Sequence, residues 1–381
     1  MGERYKWTGS MRVAQVAPLT ESVPPKLYGG TERIVSYLAE ELVRRGHEVT
    51  LFASGDSHTS ARLVKCCDRA LRLDPTVLDP IPHHIVMLDR VRRVADEFDV
   101  IHFHTDLLQF PLLNTLQTPA LTTLHGRLDL PDLHPFYQSF PDVPLVSISE
   151  EQRRPMPPVN WAGTVYNGLP RDLLPMTMHP SGDYLAFLGR ISPEKGPETA
   201  IEIATRAGMT LKIAAKIDKQ DRLFWENVIS PMIATHPNVE FLGEIDEHHK
   251  ADFLGNAQAL LFPINWPEPF GLVMIEAMAC GTPVIAFDRG AVSEVIDHGV
   301  SGFVVRTVDE GIEAIRSAAN LDRRRIRAVF EERFSAERMA FDYVSIYDRL
   351  VALSSGAAMA RARGAQVSAE VRGLSDAIRE C

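Results

Sequence analysis

The stretch 257–305 constrains the fold most, because three short apolar runs lie in it with a helical run between the first two. The first run, 259–263, leads into a proline-bearing loop, and an apolar helix is predicted from about Gly271 to Cys280. A glycine and a proline shortly after Cys280 end that helix. The runs TPVIAF and GFVV follow as further strands. Strands that alternate with helices predict a parallel α/β sheet.

The start of this predicted helix also predicts an anion site. Prolines and a glycine precede it, so the amides of Gly271, Leu272 and Val273 lack intrahelical acceptors and are directed into the loop. Glu268 lies ahead of these amides and Glu276 lies inside the helix, which places one carboxylate on each side of a bound anion. Carboxylates suit sugar hydroxyls. The alternative interpretation makes Glu276 a polar break in a buried helix and Glu268 a loop carboxylate near the positive helix end.

The wording EPFGLVMIEAMACGTPVIA, with seven residues between Glu268 and Glu276, resembles the E-x7-E signature of the retaining glycosyltransferases of family 4. The resemblance implies α/β architecture of the GT-B type, in which two Rossmann-like domains with parallel sheets face a central cleft. It implies that Glu276 holds the ribose of a nucleotide-sugar donor and Glu268 holds its sugar. Further donor contacts are expected from Phe270, Gly271, Leu272 and Val273.

A second motif, GRISPEKG, places Arg190 and Lys195 five residues apart in a loop stiffened by Pro193. Both side chains can converge on one anion, and a guanidinium and an ammonium are complementary ways to hold a diphosphate. The alternative is a solvated surface pair. The motif is similar to the phosphate loop of the same family, which implies a catalytic role for both cations. Lys216, just after a strand, is a further predicted phosphate contact, and backbone near Ile245 is expected to meet the base edge.

Two features of the first half predict substrate contacts there. Gly29 and Gly30 follow the first predicted strand and precede an expected N-cap at Thr31, so backbone can approach a ligand closely, although a tight turn without a ligand is the alternative. His104 and His125 end two predicted strands, where ligands of open parallel sheets bind. A structural histidine is the default alternative for each. The T-x-H-G wording around His125 resembles the donor-sugar histidine of the family, which implies a catalytic role.

Local sequence features divide the chain into five predicted parts. The segment VYNGLP resembles the interdomain hinge of the family, although Leu169 and Pro170 stand where the family has Val-Asp. The chain around 65–90 is proline-bearing and read as irregular, and a long helical stretch near the end is broken near Phe334. The parts are an N-terminal extension at 1–10, an N-terminal Rossmann-like acceptor domain at 11–170, a nucleotide-sugar domain at 171–334, a helix at 335–353 that returns to the first domain and a flexible tail at 354–381.

Composition excludes several classes of protein. A length of 381 residues, 45% of them hydrophobic, is enough for two domains. The net charge of -10 argues against a nucleic-acid partner. The four cysteines show neither a disulfide framework nor metal-ligand spacing. No apolar run approaches the length of about 18 residues that a membrane helix needs, and the start lacks the apolar core of a signal peptide. We therefore expect a cytoplasmic chain without an integral membrane segment.

The predicted function is transfer of a sugar from a UDP- or GDP-sugar to an acceptor hydroxyl with retention, by front-face attack. No Asp-x-Asp pair ends a strand, so neither a metal nor another cofactor is expected, and the cluster EIDEHHK is interpreted as a solvated helix start rather than a metal site. The acceptor is open between a saccharide, a lipid-linked and a small molecule, and so is the oligomeric state. The alternatives are a nucleotide-sugar epimerase of the same fold and a non-catalytic sugar-binding protein.

Overall fold

The computed structural model describes residues 9–26 and 29–356, so most of the predicted extension at 1–10 and of the predicted tail at 354–381 lies outside the described residues. The described chain forms two parallel sheets, of seven and six strands, one after the other along the sequence. Each sheet has helices on both faces. This is the alternation of strands and helices that the sequence predicts.

The first sheet has the order β3-β2-β1-β4-β5-β6-β7 and the second has the order β10-β9-β8-β11-β12-β13. All of the strand pairs are parallel. The strands are β1 Arg12–Val16, β2 Glu48–Ser54, β3 Arg62–Cys67, β4 Val100–Phe103, β5 Ala120–Leu124, β6 Leu145–Ser147, β7 Trp161–Thr164, β8 Tyr184–Arg190, β9 Thr210–Lys216, β10 Val239–Gly243, β11 Ala259–Phe262, β12 Val284–Phe287 and β13 Gly302–Val305.

Helices connect these strands, and among the described residues none is long and apolar enough to cross a membrane. They are α1 Gly30–Arg44, α2 Ile81–Arg93, α3 Phe110–Leu113, α4 Leu133–Gln138, α5 Glu150–Arg153, α6 Pro197–Ala207, α7 Arg222–Phe224, α8 Ser230–Thr235, α9 Glu247–Gly255, α10 Leu272–Ala279, α11 Val292–Val295, α12 Val308–Ala318, α13 Arg323–Arg333 and α14 336–356. Short 3-10 turns lie at Leu71–Leu73, Ala95–Glu97, Pro193–Lys195 and Lys219–Asp221, and a π turn lies at Trp225–Ile229.

The central strands are buried along most of their length because helices cover both faces of each sheet. All four residues of β4 and all four of β11 are buried. In the second sheet, Ala186 and Leu260 pack into the core on one face, whereas Leu185 and Leu261 pack into the core on the other. A strand such as β11, ALLF, is recognisable in the sequence as a short, continuous apolar run.

Three local predictions are wrong. The sequence pattern predicts neither β3 nor β7, and both are edge strands whose residues are mostly only partly buried, so their runs are not continuously apolar. The segment read as irregular at 65–90 also contains most of α2. Helix α1 begins at Gly30 with Gly29 as its N-cap, so Thr31 lies within the first turn and does not cap the helix.

The chain crosses between the two sheets at two places that are hydrogen-bonded to each other. The Leu169 amide donates to the Phe334 carbonyl at 2.9 Å, and the Ala336 amide donates to the Leu169 carbonyl at 2.8 Å. Gly168 has to lack a side chain, because a Cβ there would lie 2.4 Å from the carbonyl oxygen of Ser335. The helical stretch is broken at Phe334 and Ser335, as the sequence predicts.

Helix α14 brings the end of the described chain back to the first sheet. Met339, Tyr343 and Tyr347 are fully buried and pack with Val13 and Ile34 of the first domain. Residues more than 300 positions apart in sequence thus share one core. The first domain is complete only when this last helix is in place.

Met339→Ala tests the energetic weight of this docking. The substitution removes a fully buried side chain, and truncating a buried methionine costs about 2–5 kcal/mol. Leu353→Ala is the matched control, because Leu353 lies on the same helix and is 71% exposed. The control is expected to change the free energy of unfolding by no more than about 0.5 kcal/mol. Denaturant titration measures both, and equal losses would contradict the docking.

Candidate functional site

The candidate site lies at the carboxyl edge of the six-stranded sheet, where ligands of open parallel sheets bind. Strands β8 and β9 end there side by side, and Arg190 and Lys216 are register partners in their last rung. Strand β11 ends at the same edge and leads through the loop 263–271 into α10. The predicted phosphate loop and the predicted glutamate loop are therefore neighbours in the structure.

Glu268 lies in the loop after β11 and is held through one of its two oxygens. Its Oε2 accepts from Lys195 Nζ and, at 2.9 Å, from Trp266 Nε1. Its Oε1 has no hydrogen-bond partner among the described residues. Residue 268 is only 9% exposed, so the carboxylate is fixed in position and still has one oxygen for a ligand hydroxyl.

Glu276 is deeper, with 4% of its side chain exposed, and it is paired with a cation from each domain. Arg33 Nη1 of α1 donates to Oε1 at 2.7 Å, and Lys250 Nζ of α9 donates to the same oxygen at 2.8 Å. Burial by itself raises the pKa of Glu276, but Lys250 and Arg33 more than offset it and hold the pKa below its ordinary value. The described residues provide no hydrogen bond to Oε2. Glu276 is thus an ionised, fixed carboxylate.

Glu247 completes this charge cluster. It lies 3.2 Å from Arg33 Nη2 and 3.1 Å from Lys250 Nζ, so two carboxylates and two cations alternate between α1, α9 and α10. A buried charge needs such partners, because its removal from water costs several kcal/mol. The cluster therefore holds the first domain against the second beside the candidate site.

The cations of the phosphate loop are also fixed by acids of their own domain. Arg190 contacts Glu194 and lies 3.5 Å from Asp221 and 3.7 Å from Asp218. Lys216 pairs with Asp218 at 2.9 Å. The side chains of Arg190, Lys195 and Lys216 are 24%, 17% and 19% exposed, which is less than a solvated surface pair would show.

The first turn of α10 meets the first turn of α1. Gly271 is the N-cap of α10 with φ of 82°, a conformation that favours glycine, and the amides of Leu272 and Val273 follow it without intrahelical acceptors. Gly30 opens α1, and a Cβ on Gly30 would lie 3.8 Å from Cδ1 of Leu272. The structure thus brings Gly29 and Gly30 beside the predicted anion site.

The two predicted histidines lie at the facing edge of the first sheet and differ in exposure. His125 is partly exposed, whereas His104 is 1% exposed and lies behind it, with its Nδ1 2.9 Å from His125 Nε2. The second nitrogen of His104 lies 2.8 Å from Gln15 Oε1. Both ring nitrogens of His104 are therefore used inside the protein, which makes it a support for His125 rather than a substrate contact.

Two further predicted contacts have buried or partly buried side chains. Phe270 is 2% exposed and packs at the seam between the domains, with ring centroids 6.1 Å from Tyr166 and 6.0 Å from Phe334. Its side chain belongs to the core, so only its backbone is available to a ligand. Ile245 packs against the core of the second domain and follows Gly243, whose φ is 75°. Gly243 ends β10, and the loop that contains Ile245 leaves the sheet there, at the same carboxyl edge.

The first domain also holds the glutamate loop and α11 directly. Ser149 Oγ donates to the Pro269 carbonyl at 2.6 Å. The carboxylate of Glu294 accepts from the amides of Glu150 and Glu151, at 2.8 and 2.6 Å. The ring of Trp266 lies under Arg127, two residues after His125, at 5.5 Å. These contacts bring the segments after β5 and β6 close to the loop that carries Glu268 and to α11.

Sequence reasoning missed the residues that fix the predicted ones in place. Arg33 and Lys250 pair with Glu276, and Trp266 donates to Glu268. A cation near the start of an amphipathic helix is an ordinary surface feature, and nothing local distinguishes Arg33 from it. Lys250 lies in EIDEHHK, where Asp246 caps α9 by accepting from the His249 amide at 3.0 Å. Over 9–26 and 29–356, no three His, Cys, Asp or Glu side chains are grouped so as to hold a metal ion.

Comparison with known proteins agrees with this arrangement. The family model for group 1 glycosyl transferases matches residues 179–331, and the model for glycosyltransferase family 4 matches residues 28–153. A phosphatidyl-myo-inositol mannosyltransferase of Mycobacterium leprae is 27% identical over 341 residues, which are 78% of this chain and 84% of that protein.

Solved structures show the same architecture. The crystal structure of AviGT4, a glycosyltransferase involved in avilamycin A biosynthesis, has a TM-score of 0.68 and 25% identity and covers 90% of this chain and 98% of that one. Anabaena HepE in complex with UDP and glucose has a TM-score of 0.64 at 19% identity, covering 91% and 100%, and shows the fold alone. The fold and site therefore define a glycosyltransferase of the GT-B architecture, as the sequence predicts.

The two family models cover different parts of the chain, and each falls on one of the two sheets. The chain thus carries a glycosyltransferase family 4 domain followed by a group 1 glycosyl transferase domain.

Lys250→Met tests the charge cluster around Glu276. Breaking a buried ion pair by removing one partner costs about 3–5 kcal/mol. Lys212→Met is the matched control, because Lys212 is 33% exposed and its pair with Glu240, at 3.4 Å, is a surface pair worth no more than about 1 kcal/mol. Unfolding titrations measure both losses.

The pH dependence of that loss has a definite sign. Folding lowers the pKa of Glu276. The ion pairs of Glu276 therefore stabilise the folded protein fully at pH values above the pKa of a glutamate in the unfolded chain, about 4.3. This stabilisation is lost as the pH falls through the pKa of Glu276 in the folded protein. The difference in the free energy of unfolding between the wild type and Lys250→Met is therefore constant near neutral pH. It becomes smaller only at acidic pH. A difference that widens on acidification would contradict the ionised state of Glu276.

Proposed function

We propose that this enzyme transfers a sugar from a UDP- or GDP-sugar to an acceptor hydroxyl, with retention of configuration and without a metal ion. The observation that carries the proposal is that Lys195 contacts Glu268 just ahead of α10, at the edge where the neighbouring strand β8 ends with Arg190. Glu268 and Glu276 each keep one oxygen without a hydrogen bond from the described residues. Hydrogen-bond donors for a diphosphate and acceptors for sugar hydroxyls thus lie at the carboxyl edge of the six-stranded sheet.

The diphosphate is placed at the start of α10. Amides of an open helix end and nearby cations are the groups that hold phosphate in proteins. Arg190, Lys195 and Lys216 supply three positive charges, and the acids beside them fix where these charges lie. Neutralisation by fixed protein donors supports a reaction without a divalent metal.

The two glutamates are assigned to different parts of the donor. Glu276 lies one turn and more inside α10, and its Oε2 is assigned to the ribose hydroxyls. Glu268 lies ahead of the helix, and its Oε1 is assigned to a hydroxyl of the transferred sugar. Carboxylates accept strongly from hydroxyl groups because the acceptor is charged. The relatives support a nucleoside-diphosphate donor, since the Anabaena structure is a complex with UDP and glucose.

The chemical step is departure of the diphosphate from the anomeric carbon. Negative charge grows on the leaving phosphate oxygen as the bond breaks, and Arg190, Lys195 and the amides of α10 are donors fixed at that place. The acceptor hydroxyl forms its bond to the same carbon from the face that the phosphate leaves, and its proton passes to a phosphate oxygen. The sugar then keeps its anomeric configuration without a bond to the enzyme.

Arg190→Ala and Lys195→Ala test the phosphate donors. Each is expected to lower turnover by about 10²- to 10³-fold, the usual effect of removing one such donor. Lys212→Ala is the control for loss of a lysine on the same strand as Lys216, outside the phosphate loop, and is expected to leave turnover unchanged.

Turnover of the wild type is expected to be undiminished in excess chelator. Activity that chelation abolishes and manganese restores would contradict neutralisation by the protein.

Stereochemistry tests the mechanism and excludes the epimerase alternative. Proton NMR of the product is expected to show the anomer of the donor, and mass spectrometry is expected to show no sugar bound to Glu268. Donor incubated without acceptor is the control, because an epimerase would convert it and a transferase would not. An inverted product, a glycosyl-enzyme on Glu268 or an altered donor sugar each contradicts the front-face transfer.

A further inference from the structure

Helix α1 of the first domain rests on the second domain through one face. Gly30, Arg33 and Tyr37 lie three and four positions apart, so they are on the same side of the helix. Gly30 adjoins Leu272 at the start of α10, and Tyr37 packs against the apolar cores of both domains. Arg33 lies between them along the helix and contacts Glu276. The first half of α1 therefore forms part of the surroundings of the site in the second domain.

The guanidinium of Arg33 spans two carboxylates of the second domain. Its Nη1 donates to Glu276 Oε1 at 2.7 Å, and its Nη2 lies 3.2 Å from Glu247 Oε2. A guanidinium is a planar, rigid fork, so contacts at both of its ends leave it a single orientation. Arg33 is thus a fixed donor, although it comes from the other side of the cleft.

Lys250 holds the same oxygen of Glu276 from within the second domain. Its Nζ donates to Oε1 at 2.8 Å from the end of a flexible stem. A single ammonium on such a stem can follow the carboxylate as it turns, whereas a second donor from a different helix resists that turn. Arg33 therefore fixes the direction of the other oxygen, Oε2, which has no hydrogen bond from the described residues.

We propose that Arg33 is a positioning residue for the nucleotide end of the donor, which fixes Glu276 Oε2 towards the ribose hydroxyls from across the cleft. This inference rests on the proposed function, which assigns that oxygen to the ribose. Arg33 itself touches no reacting atom. Recognition of the ribose by the second domain then requires the first domain to be in place, because only the first domain supplies the second donor to Glu276.

Arg33 also adds a positive charge to the cleft, and this effect has to be separated from positioning. The charge acts on any ligand that carries a diphosphate, with or without ribose hydroxyls. The direction of Glu276 matters only to a ligand that has these hydroxyls. The ratio of two affinities, for a nucleoside diphosphate and for its 2′,3′-dideoxy form, therefore isolates the positioning of Glu276.

Calorimetric titration of the full-length protein with UDP, GDP and the dideoxy form of each measures this ratio. The titrations are made at pH 8, far above the ordinary pKa of a glutamate, about 4.3. In the wild type the ratio is expected to be about 10- to 150-fold, the usual effect of one hydrogen bond to a charged group. Arg33→Met is expected to lower it by about 5-fold or more, the lower end of the usual coupling between linked sites.

Arg44→Met is the matched control. Arg44 lies in the last turn of the same helix, is 54% exposed and pairs with Glu41 and Glu337, so its loss is expected to leave the ratio unchanged. Arg33→Lys is a second variant, in case Arg33→Met does not fold. It keeps a positive charge in the cluster, but a single ammonium cannot span both carboxylates, so the ratio is expected to fall again.

An unchanged ratio in either folded Arg33 variant overturns the proposal, whether the two affinities stay the same or fall together. A ratio near one in the wild type overturns it as well, because Glu276 would then not bind the ribose. A ratio that falls equally in Arg44→Met also overturns it, since the effect would then not depend on the contact with Glu276.

Transfer kinetics tests the same role during the reaction. The ribose contact is the same before and during the chemical step, so Arg33→Met is expected to raise KM for the sugar donor by about 5-fold or more and to leave kcat nearly unchanged. A fall in kcat at unchanged KM overturns a role at the nucleotide end. A wild type that binds UDP or GDP and transfers no sugar refutes the proposed function and leaves the positioning role standing, whereas binding of neither ligand refutes both.

Discussion

The buried negative charge of Glu276 is the constraint on which the arrangement of the two domains depends. A carboxylate in this position is stable only with partners, and its partners come from opposite sides of the cleft, Arg33 from the first domain and Lys250 from the second. The requirement that both cations reach one oxygen sets the separation of α1 and α10. It also brings the glycines at the start of α1 to the open end of α10.

The same rule, that each charge is fixed by an opposite one, holds across the phosphate loop. Arg190 is surrounded by three acids and Lys195 by Glu268 and two aromatic rings, so neither cation is a free surface side chain. Donors held in this way need little rearrangement when charge develops on a ligand, which is the main source of electrostatic stabilisation in enzymes. The acids therefore orient the cations rather than merely neutralising them.

The sequence predicts the second sheet and the glutamate loop well, because both are written in contiguous residues. Most strands from β8 to β13 are short, mainly apolar runs. Lys195 and Glu268 each lie within a contiguous motif, GRISPEKG and EPFGLVMIE. The edge strands β3 and β7 are missed because one-sided exposure breaks the apolar pattern. Pairs such as Arg33 with Glu276, or Gln15 with Tyr347, join residues hundreds of positions apart, and no local spacing indicates them. These pairs depend on the tertiary fold.

The return of α14 to the first sheet has a consequence for synthesis on the ribosome. Domains generally fold in the order in which they emerge. Here the first sheet emerges first, yet Met339, Tyr343 and Tyr347 of its core are translated after the whole second domain. The hydroxyl groups of Tyr347 and Tyr343, which hydrogen-bond to Gln15 and Thr123, are then missing until α14 has been translated. Until then, Gln15 and Thr123 of the nascent first domain lack these hydrogen-bond partners. The core of the second domain can already form at that stage.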